Sequence, residues 1–291
     1  MRILVLAMLA ATAAVAQQQD FSKVEVKAAK VAGNVWMLTG AGGNIGVTVG
    51  DDGVAIVDDQ YAPLAPKIHA ALQQLSPKPV KFLINTHWHG DHTGGNANFA
   101  ETAAIFAHAN VRKRLAAGGK IMGRDVPPAA AAALPIVTFE QGLSLWWNGE
   151  EIRAIHPGRG HTDGDSVIWF TKSNVVHMGD DYFNGMFPFV DNASGGSVQR
   201  LIESIDVILG QIPADAKVIP GHGPLSNVQE LRKFRGMLEE VVAAVKKGLA
   251  SGKSPEQLSK ENILAPWATW GNGFIKPDMF VSIVAEDLAK K

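Results

Sequence analysis

Residues 86 to 96 constrain the fold of this chain more than any other stretch. They read Thr-His-Trp-His-Gly-Asp-His-Thr-Gly-Gly-Asn and directly follow an apolar run at residues 80 to 85. A strand that ends here would deliver its last side chains to a glycine-flanked turn. Alternate residues of its extended part would point to the same side. The pattern therefore predicts a strand, a tight turn and a cluster of polar side chains at one sheet edge.

The polar side chains of this turn have the chemistry of metal ligands. They are His87, His89, Asp91 and His92. Zinc and related metals bind imidazole nitrogens and carboxylate oxygens, and two ions can share such a cluster. Without a cation, four titratable groups packed this closely would repel one another or stay partly unpaired. We therefore interpret the segment as a metal site rather than as a polar loop of solvated histidines.

Composition excludes several classes of protein. A hydrophobic content of 46% and a charged content of 19% fit a folded chain rather than a disordered one. The net charge is −1 and no basic stripe is present, so nucleic acid is not an expected partner. The chain has no cysteine. Every metal ligand must therefore be a nitrogen or an oxygen.

Residues 1 to 16 have the pattern of a secretory signal peptide. Arg2 supplies the positive start, residues 3 to 14 the apolar stretch, and Ala14-Val15-Ala16 the small-residue cleavage site. About 12 apolar residues are too few to span a bilayer, and no cysteine is available for lipid attachment. We expect a periplasmic or secreted protein that begins near Gln17 and has no membrane anchor.

Strand and helix patterns alternate along the rest of the chain. Apolar runs and turn signals predict strands at residues 24–30, 34–38, 44–49, 54–57, 80–85, 103–107, 143–147, 151–156, 166–171, 175–178 and 218–219. Helical spacing predicts helices at residues 65–75, 110–116, 198–209, 231–249 and 279–290. No low-complexity linker separates the two halves, so residues 17 to 291 are predicted to form a single domain of two sheets with helices outside. Residues 118 to 135 are interpreted as a surface excursion that could cover a site.

Further candidate ligands lie beside glycines where later strands end. They are His161, the adjacent pair Asp180 and Asp181, and His222. A lone histidine near glycine is more often a turn residue, but three such positions behind a ligand cluster favour ligands. The other histidines lack this setting and are assigned to helix surface or core: His69, His108, His156 and His177.

Taken together, these motifs resemble those of the metallo-beta-lactamase superfamily. The resemblance runs from about residue 31 to 224 and is carried by Asp58, the cluster at 87 to 92, His161, Asp180 and His222. It implies an α/β fold, a four-layer αββα sandwich of two mixed sheets flanked by helices. In that fold the metals lie at one edge between the sheets.

The resemblance also implies a role for each residue. A first metal is held by His87, His89 and His161. A second is held by Asp91, His92 and His222. Asp180 bridges the two, as in the hydroxyacylglutathione hydrolase branch, with Asp181 as the fallback, and Asp58 orients a ligand through hydrogen bonds. Two zinc ions are expected, with iron or manganese as alternatives.

The implied chemistry is metal-assisted hydrolysis of a small-molecule carbonyl compound. Asp91 would orient an activated water and later take or pass a proton. Beta-lactams are the leading substrate, although the cysteine ligand of the commonest lactamase subclass is absent, and so is the lysine after it. Lys120, Arg124 or Arg159 could bind the drug's carboxylate instead, and Asn192 is either an oxyanion donor or a plain turn residue. The oligomeric state stays open.

Four alternatives use part of the same motif set. A lactonase, thioesterase or other ester hydrolase would share the metal chemistry, and an iron-dependent sulfur dioxygenase typically engages one metal. Nuclease relatives usually carry an extra domain. A non-catalytic metal-binding protein is disfavoured by the complete ligand set.

Overall fold

The structure of this protein is a computed structural model that describes residues 20 to 290. The predicted signal peptide at residues 1 to 16 lies outside the described residues and stays a prediction. The first half contains the elements β1 (Lys27–Ala32), β2 (Val35–Thr39), β3 (Ile45–Gly50), β4 (Gly53–Val57), α1 (Ala65–Leu75), β5 (Val80–Ile84), α2 (Gly90–Thr93), α3 (Asn96–Phe99), β6 (Ala104–His108), α4 (Ala109–Ala117), β7 (Gly119–Ile121), β8 (Arg124–Val126) and β9 (Val137–Phe139).

The second half continues with a run of strands and then with helices. Its elements are β10 (Gly142–Trp147), β11 (Glu150–Ile155), β12 (Val167–Phe170), β13 (Val175–His177), α5 (Val198–Leu209), β14 (Lys217–Ile219), β15 (Ser226–Asn227), α6 (Val228–Ala250), α7 (Pro255–Lys260) and α8 (Pro277–Ala289). No helix in residues 20 to 290 combines the length and the apolar character that crossing a membrane requires.

The first sheet is mixed. Its seven strands lie in the order β1-β2-β3-β4-β5-β6-β9. The pairs from β1 to β4 are antiparallel, whereas β4, β5, β6 and β9 are parallel to one another. Because parallel strands end at the same edge of a sheet, the residues that follow β4 and β5 lie side by side.

The second sheet is also mixed and lies against the first. Its six strands have the order β10-β11-β12-β13-β14-β15, and only the pair β13 and β14 is parallel. The residues that follow β13 and β14 therefore meet at one edge, as do those after β4 and β5.

Three apolar cores separate four layers. The core between the sheets includes Met37, Val57, Ile84, Ile152, Ile168, Phe170 and Ile219. A second core lies between the first sheet and α1, where Ile68 and Leu72 are buried. A third lies between the second sheet and the helices α5, α6 and α8. The layers are therefore helix, sheet, sheet and helix, and the predicted αββα sandwich is confirmed.

The observed element boundaries agree best with the predicted ones where a capping or helix-breaking residue marks them. The observed bounds of α1 and α5 are those predicted, and α5 begins where Ser197 accepts a hydrogen bond from the backbone N–H of Arg200. The helix predicted at residues 231 to 249 begins earlier, at Val228, because Asn227 caps it. The strands β9 and β15 were not predicted, since neither contains the pair of adjacent apolar residues that marked the equally short β13 and β14. The excursion at residues 118 to 135 contains the short hairpin β7–β8.

Candidate active site

Five strand ends supply the predicted ligands. Asp58 follows β4, and the cluster at 87 to 92 follows β5 and includes the helical turn α2. His161 lies in the loop after β11, Asp180 follows β13, and His222 follows β14. These ends meet at one edge between the two sheets, so residues far apart in the chain, such as His92 and His222, come into contact.

The structure brings four of the predicted ligands into one buried group. It consists of His87, His89, His161 and Asp180, whose ligand atoms lie within 4.8 Å of one another. The His89 Nδ1 atom is 2.8 Å from His161 Nε2. The Asp180 Oδ2 atom is 3.5 Å from His161 Nε2 and 3.8 Å from His87 Nε2. This group could hold one metal ion.

The other three predicted ligands form a second, more accessible group. Asp91, His92 and His222 also have ligand atoms within 4.8 Å of one another. The His222 Nε2 atom lies 3.3 Å from both Asp91 Oδ2 and His92 Nε2. The side chains of Asp91 and His222 are each 24% exposed, so this group faces the solvent side of the site.

Asp180 lies between the two groups, and Asp181 does not. The Asp180 Oδ1 atom is 3.1 Å from His92 Nε2, and Oδ2 is 3.4 Å from His222 Nε2. Asp181 turns the other way, where its Oδ1 accepts a hydrogen bond from the backbone N–H of His161. A side chain at Gly221 would overlap the Asp180 carboxylate, which accounts for a glycine beside His222.

Asp58 is buried and accepts three hydrogen bonds behind both groups. The donors are the backbone N–H and the hydroxyl of Thr86 and the Nδ1 atom of His92, each at 2.7 Å. Because the Thr86 hydroxyl donates to Asp58, its oxygen accepts from His87 Nδ1 at 3.0 Å. One carboxylate therefore fixes the ring orientation of His87 and His92, and leaves their Nε2 atoms facing the site.

Two further groups that orient ligands were not predicted. Asp191 Oδ2 accepts from His89 Nε2 at 3.0 Å, and the carbonyl of Phe189 accepts from His161 Nδ1 at 2.6 Å. Asp191 also accepts from the backbone N–H of Ser194, as any turn aspartate can. The sequence around Asp191 carries no signal that separates these two uses.

The donor set fits a bound cation. The outward nitrogens of His87, His89 and His161 donate to other groups, so their inward nitrogens present lone pairs to one another. Two of these nitrogens, His89 Nδ1 and His161 Nε2, are only 2.8 Å apart. The buried Nε2 of His87 has no hydrogen-bond partner. A positive ion would satisfy all of these atoms at once.

Burial and neighbouring charges divide the histidines into two kinds. Burial lowers the pKa of His87 well below its ordinary value and that of His161 to about 4, so both are neutral at pH 7. Burial also opposes charge on His222 and His92. At these two histidines, however, the negative charge of nearby carboxylates, Asp180 foremost, outweighs the effect of burial. They raise the pKa of His222 to about 9 and that of His92 well above its ordinary value.

Metal binding is therefore expected to release protons. At pH 7 the metal-free His92 and His222 each hold a proton that a metal must displace, so metal affinity should fall as the pH is lowered from about 9. Calorimetric titration with zinc in buffers of different ionisation enthalpy should show release of about two protons per chain at pH 7. Heats that do not depend on the buffer would contradict this.

The remaining histidines lie where they were assigned, outside the two groups. His69 stacks on Phe99 at 4.3 Å, and His108 stacks on His156 at 4.1 Å. The buried His177 contacts the carbonyl of Asn44 through Nε2 at 2.9 Å. These side chains serve the packing of the sheets and helices.

The interpretation of Asn192 as an oxyanion donor is wrong. Its side-chain amide donates to the carbonyl of Ile283 in α8 at 3.0 Å. The residue lies in a short helical turn, Asn192–Ser194. It therefore joins this turn to the C-terminal helix, and the alternative interpretation as a turn residue fits the structure.

The sequence model of the metallo-beta-lactamase superfamily matches residues 38 to 244. The chain belongs to the metallo-beta-lactamase superfamily. Its cluster of histidines and aspartates could hold metal ions.

The names of the curated relatives describe different activities. The alpha subunit of 2,4-dinitroanisole O-demethylase from Nocardioides sp. is 34% identical over 163 residues, 53% of this chain and 46% of that protein. The chain thus spans about half the length of this relative. Metallo-beta-lactamase type 2 from Bacillus cereus is 22% identical over 203 residues, 67% of this chain and 75% of that protein. Hydroxyacylglutathione hydrolase from Polaromonas sp. is 31% identical over 147 residues, which are 50% of this chain and 49% of that protein.

Solved structures share the fold at low sequence identity. The metallo-beta-lactamase from Pontibacter korlensis aligns with a TM-score of 0.63 and 18% identity over 74% of this chain and 99% of its own. A variant of the sec-alkyl sulfatase PisA1 aligns with a TM-score of 0.69 and 14% identity over 91% of this chain and 50% of its own. At these identities the likeness shows the fold alone.

Proposed function

We propose that this protein is a zinc hydrolase with two metal ions, which uses an activated water to attack the carbonyl carbon of its substrate. The observation that carries this proposal is the position of Asp180. Its two carboxylate oxygens face ligands of both groups, with Oδ1 3.1 Å from His92 Nε2 and Oδ2 3.8 Å from His87 Nε2. A buried carboxylate between two sets of ligands supports two ions rather than one.

His87, His89 and His161 would hold the first ion, and Asp91, His92 and His222 would hold the second, with the Asp180 carboxylate within reach of both groups. Bound zinc supplies what the side chains lack, since it lowers the pKa of water toward neutrality and polarises a carbonyl oxygen. The protein contributes the fixed orientation of the imidazoles, through Asp58 and Asp191.

Asp91 is proposed as the residue that handles the proton. Burial opposes its ionisation, but the neighbouring imidazoles of His92 and His222 hold the pKa of this carboxyl well below its usual range. It is therefore a carboxylate at neutral pH. Its side chain is 24% exposed, so it can accept a hydrogen bond from the attacking water and take its proton.

The ligand chemistry favours zinc over the alternatives. Imidazole nitrogens dominate the set, and zinc takes such ligands together with carboxylates. Iron and manganese also bind nitrogen and oxygen ligands, so metal analysis is part of the test. About two zinc ions per chain would support hydrolysis, whereas a single iron would favour the sulfur dioxygenase alternative.

Beta-lactams are the first substrate class we propose. A relative that covers 67% of this chain is named a metallo-beta-lactamase. A beta-lactam drug carries a carboxylate, which needs a cation near the site. Of the candidates named from the sequence, Lys120 lies 3.2 Å from Asp125, and Arg124 and Arg159 are exposed.

An uncharged ester, thioester or lactone is the second candidate. The specific observation in its favour is the loop after Asp180, since no Lys or Arg occurs between Lys172 and Arg200. A border without Lys or Arg provides no cationic partner for a substrate carboxylate. It suits a neutral carbonyl compound.

The decisive assay uses mature, zinc-loaded protein and one panel of substrates. The panel holds a penicillin, a cephalosporin, a carbapenem, lactones, thioesters and aryl esters. We expect cleavage of at least one beta-lactam, abolished by a chelator and restored by zinc. Cleavage of esters or lactones alone would select the second candidate. Failure of zinc-loaded protein to cleave any compound would contradict the proposed function.

A further inference from the structure

His222 is held differently from the other candidate histidine ligands. Each of those four imidazoles is oriented by a hydrogen bond at the ring nitrogen that faces away from the site. The partners are the Thr86 hydroxyl for His87, Asp191 for His89, Asp58 for His92 and the Phe189 carbonyl for His161. Within residues 20 to 290, the Nδ1 atom of His222 has no such partner, although the ring of Phe183 stacks on it at 5.0 Å. The position of this ligand must therefore be set largely by its backbone.

The backbone around His222 is fixed by one residue of the first sheet, Asn44. The side-chain amide nitrogen of Asn44 donates to the carbonyls of Pro220 and Gly223, each at 2.9 Å. Its backbone N–H donates to the carbonyl of Gly221 at 2.7 Å. Asn44 is buried and lies immediately before β3. Three carbonyls around His222 thus accept hydrogen bonds from a single residue.

Asn44 also reaches the turn that carries Asp180. Its carbonyl accepts from His177 Nε2 at 2.9 Å, and His177 Nδ1 accepts from the backbone N–H of Gly179 at 3.1 Å. Because Nδ1 is an acceptor, the proton of this ring is on Nε2. Gly179 opens the turn of Asp180, and its carbonyl accepts from the backbone N–H of Gly221 at 2.7 Å. These hydrogen bonds form a closed network that begins and ends at Asn44.

We propose that Asn44 is a positioning residue for the second metal ion, because it holds the loop of His222 and the turn of Asp180 in place. This inference rests on the proposed function with two ions. The network crosses from the first sheet to the second. It therefore fixes ligands that follow β13 and β14 relative to Asp91 and His92, which follow β5. Asn44 acts through these neighbours, since its own donors are used by backbone carbonyls.

The test substitution is Asn44→Asp, which keeps the size of the side chain and replaces the amide nitrogen with a carboxylate oxygen. That oxygen would face the carbonyls of Pro220 and Gly223, and acceptors repel one another. Zinc binding is measured by titration against a chelator of known affinity, and His222→Ala marks which ion belongs to the second group. We expect this ion to bind about tenfold more weakly in Asn44→Asp, and the other ion to change by no more than about twofold.

The sign of this effect separates displaced ligands from a change of charge. An added carboxylate beside the site would by itself attract a cation and strengthen its binding. A weaker second ion in Asn44→Asp therefore reports the movement of His222 and Asp180. Tighter binding of this ion would overturn the inference.

The matched control is Asn148→Asp. Asn148 is also buried and also joins the two sheets, since its side-chain amide donates from the β10–β11 turn to the carbonyl of Gly53 at 3.1 Å. Gly53 begins β4, and Asp58 follows the other end of that strand, so this contact lies away from the site. The φ of Asn148 is +53°, a conformation in which asparagine and aspartate are both enriched. Both variants should unfold at a lower temperature, but only Asn44→Asp should bind the second ion more weakly.

Asn44→Ala is the second variant, because it removes the side-chain donors without adding a charge. The same loss of affinity for the second ion is expected. Zinc affinities equal to those of the wild type in a folded Asn44 variant would overturn the inference. So would an equal loss of affinity in Asn148→Asp, which would show a general effect of lower stability. Failure of both Asn44 variants to fold would assign this residue to the fold rather than to the second ion.

The outcome is separable from that of the proposed function. If Asn44→Asp weakens the second ion selectively but no compound of the panel is cleaved, the positioning role is supported and the hydrolytic proposal fails. If a compound is cleaved and Asn44→Asp binds both ions as the wild type does, the hydrolytic proposal stands and the positioning role is refuted. A single zinc ion in the wild type would contradict both.

Discussion

Asp180→Asn is expected to lower hydrolysis by about a hundredfold or more and to lower the metal content of the protein. Asparagine keeps the size of the side chain but removes the negative charge that lies between the two groups. In the wild type, burial opposes ionisation of Asp180, but the imidazoles of His222 and His92 keep its pKa well below the ordinary value. The carboxylate is therefore charged whenever metals bind. Metal analysis and kcat, measured on the same preparation, check the prediction.

The neighbouring substitution Asp181→Asn is the control. Asp181 is also buried, but its Oδ1 accepts from the backbone N–H of His161 instead of facing the two groups. Burial raises the pKa of Asp181 to about 7, so it is partly protonated at neutral pH, and an amide replaces it at modest cost. Metal content should stay close to that of the wild type. If this variant loses metal and Asp180→Asn does not, the assignment of the shared carboxylate is reversed.

His89→Ala is expected to remove most activity, by about a thousandfold, while the fold is retained. The substitution deletes an inward nitrogen of the first group, and Asp191 loses the ring that it orients. The cost to folding is limited, because Asp191 keeps its hydrogen bond from the backbone N–H of Ser194. Turnover of the best panel substrate and thermal unfolding followed by circular dichroism check both parts.

His69→Ala provides the matched histidine control. This side chain stacks on Phe99 and belongs to neither ligand group. Its loss should leave kcat within about twofold of the wild type, since only packing changes. An unchanged turnover rate in His89→Ala would rule out the assigned site, whatever the control shows.

Much of the fold could be predicted because its signals are local. Helix α1 is closed by Ser76 and Pro77, and α5 opens at Ser197, so both were placed correctly. Strands of five or six residues show their apolar pattern, whereas β9 and β15, with three and two residues, do not. Those short strands form through pairing with partners far along the chain, and no window of the sequence contains that information.

The ligand set could be predicted for a related reason. The cluster at 87 to 92 is contiguous, and His161, Asp180 and His222 each lie beside a glycine at a strand end. Asp191 and the carbonyl of Phe189 had no such signal, because they meet His89 and His161 only through the packing of distant segments.

The sequence by itself determined which atoms are available to a metal: imidazole nitrogens and carboxylate oxygens, with no thiolate. Only the tertiary structure decided which of two adjacent aspartates faces them. Gly179 adopts a φ of +53° and opens a single helical turn, Gly179–Asp181. That turn sends Asp180 toward the imidazoles and Asp181 toward the backbone of His161. Side-chain direction in a turn depends on backbone angles and on partners from other strands, and neither is written in the neighbouring residues.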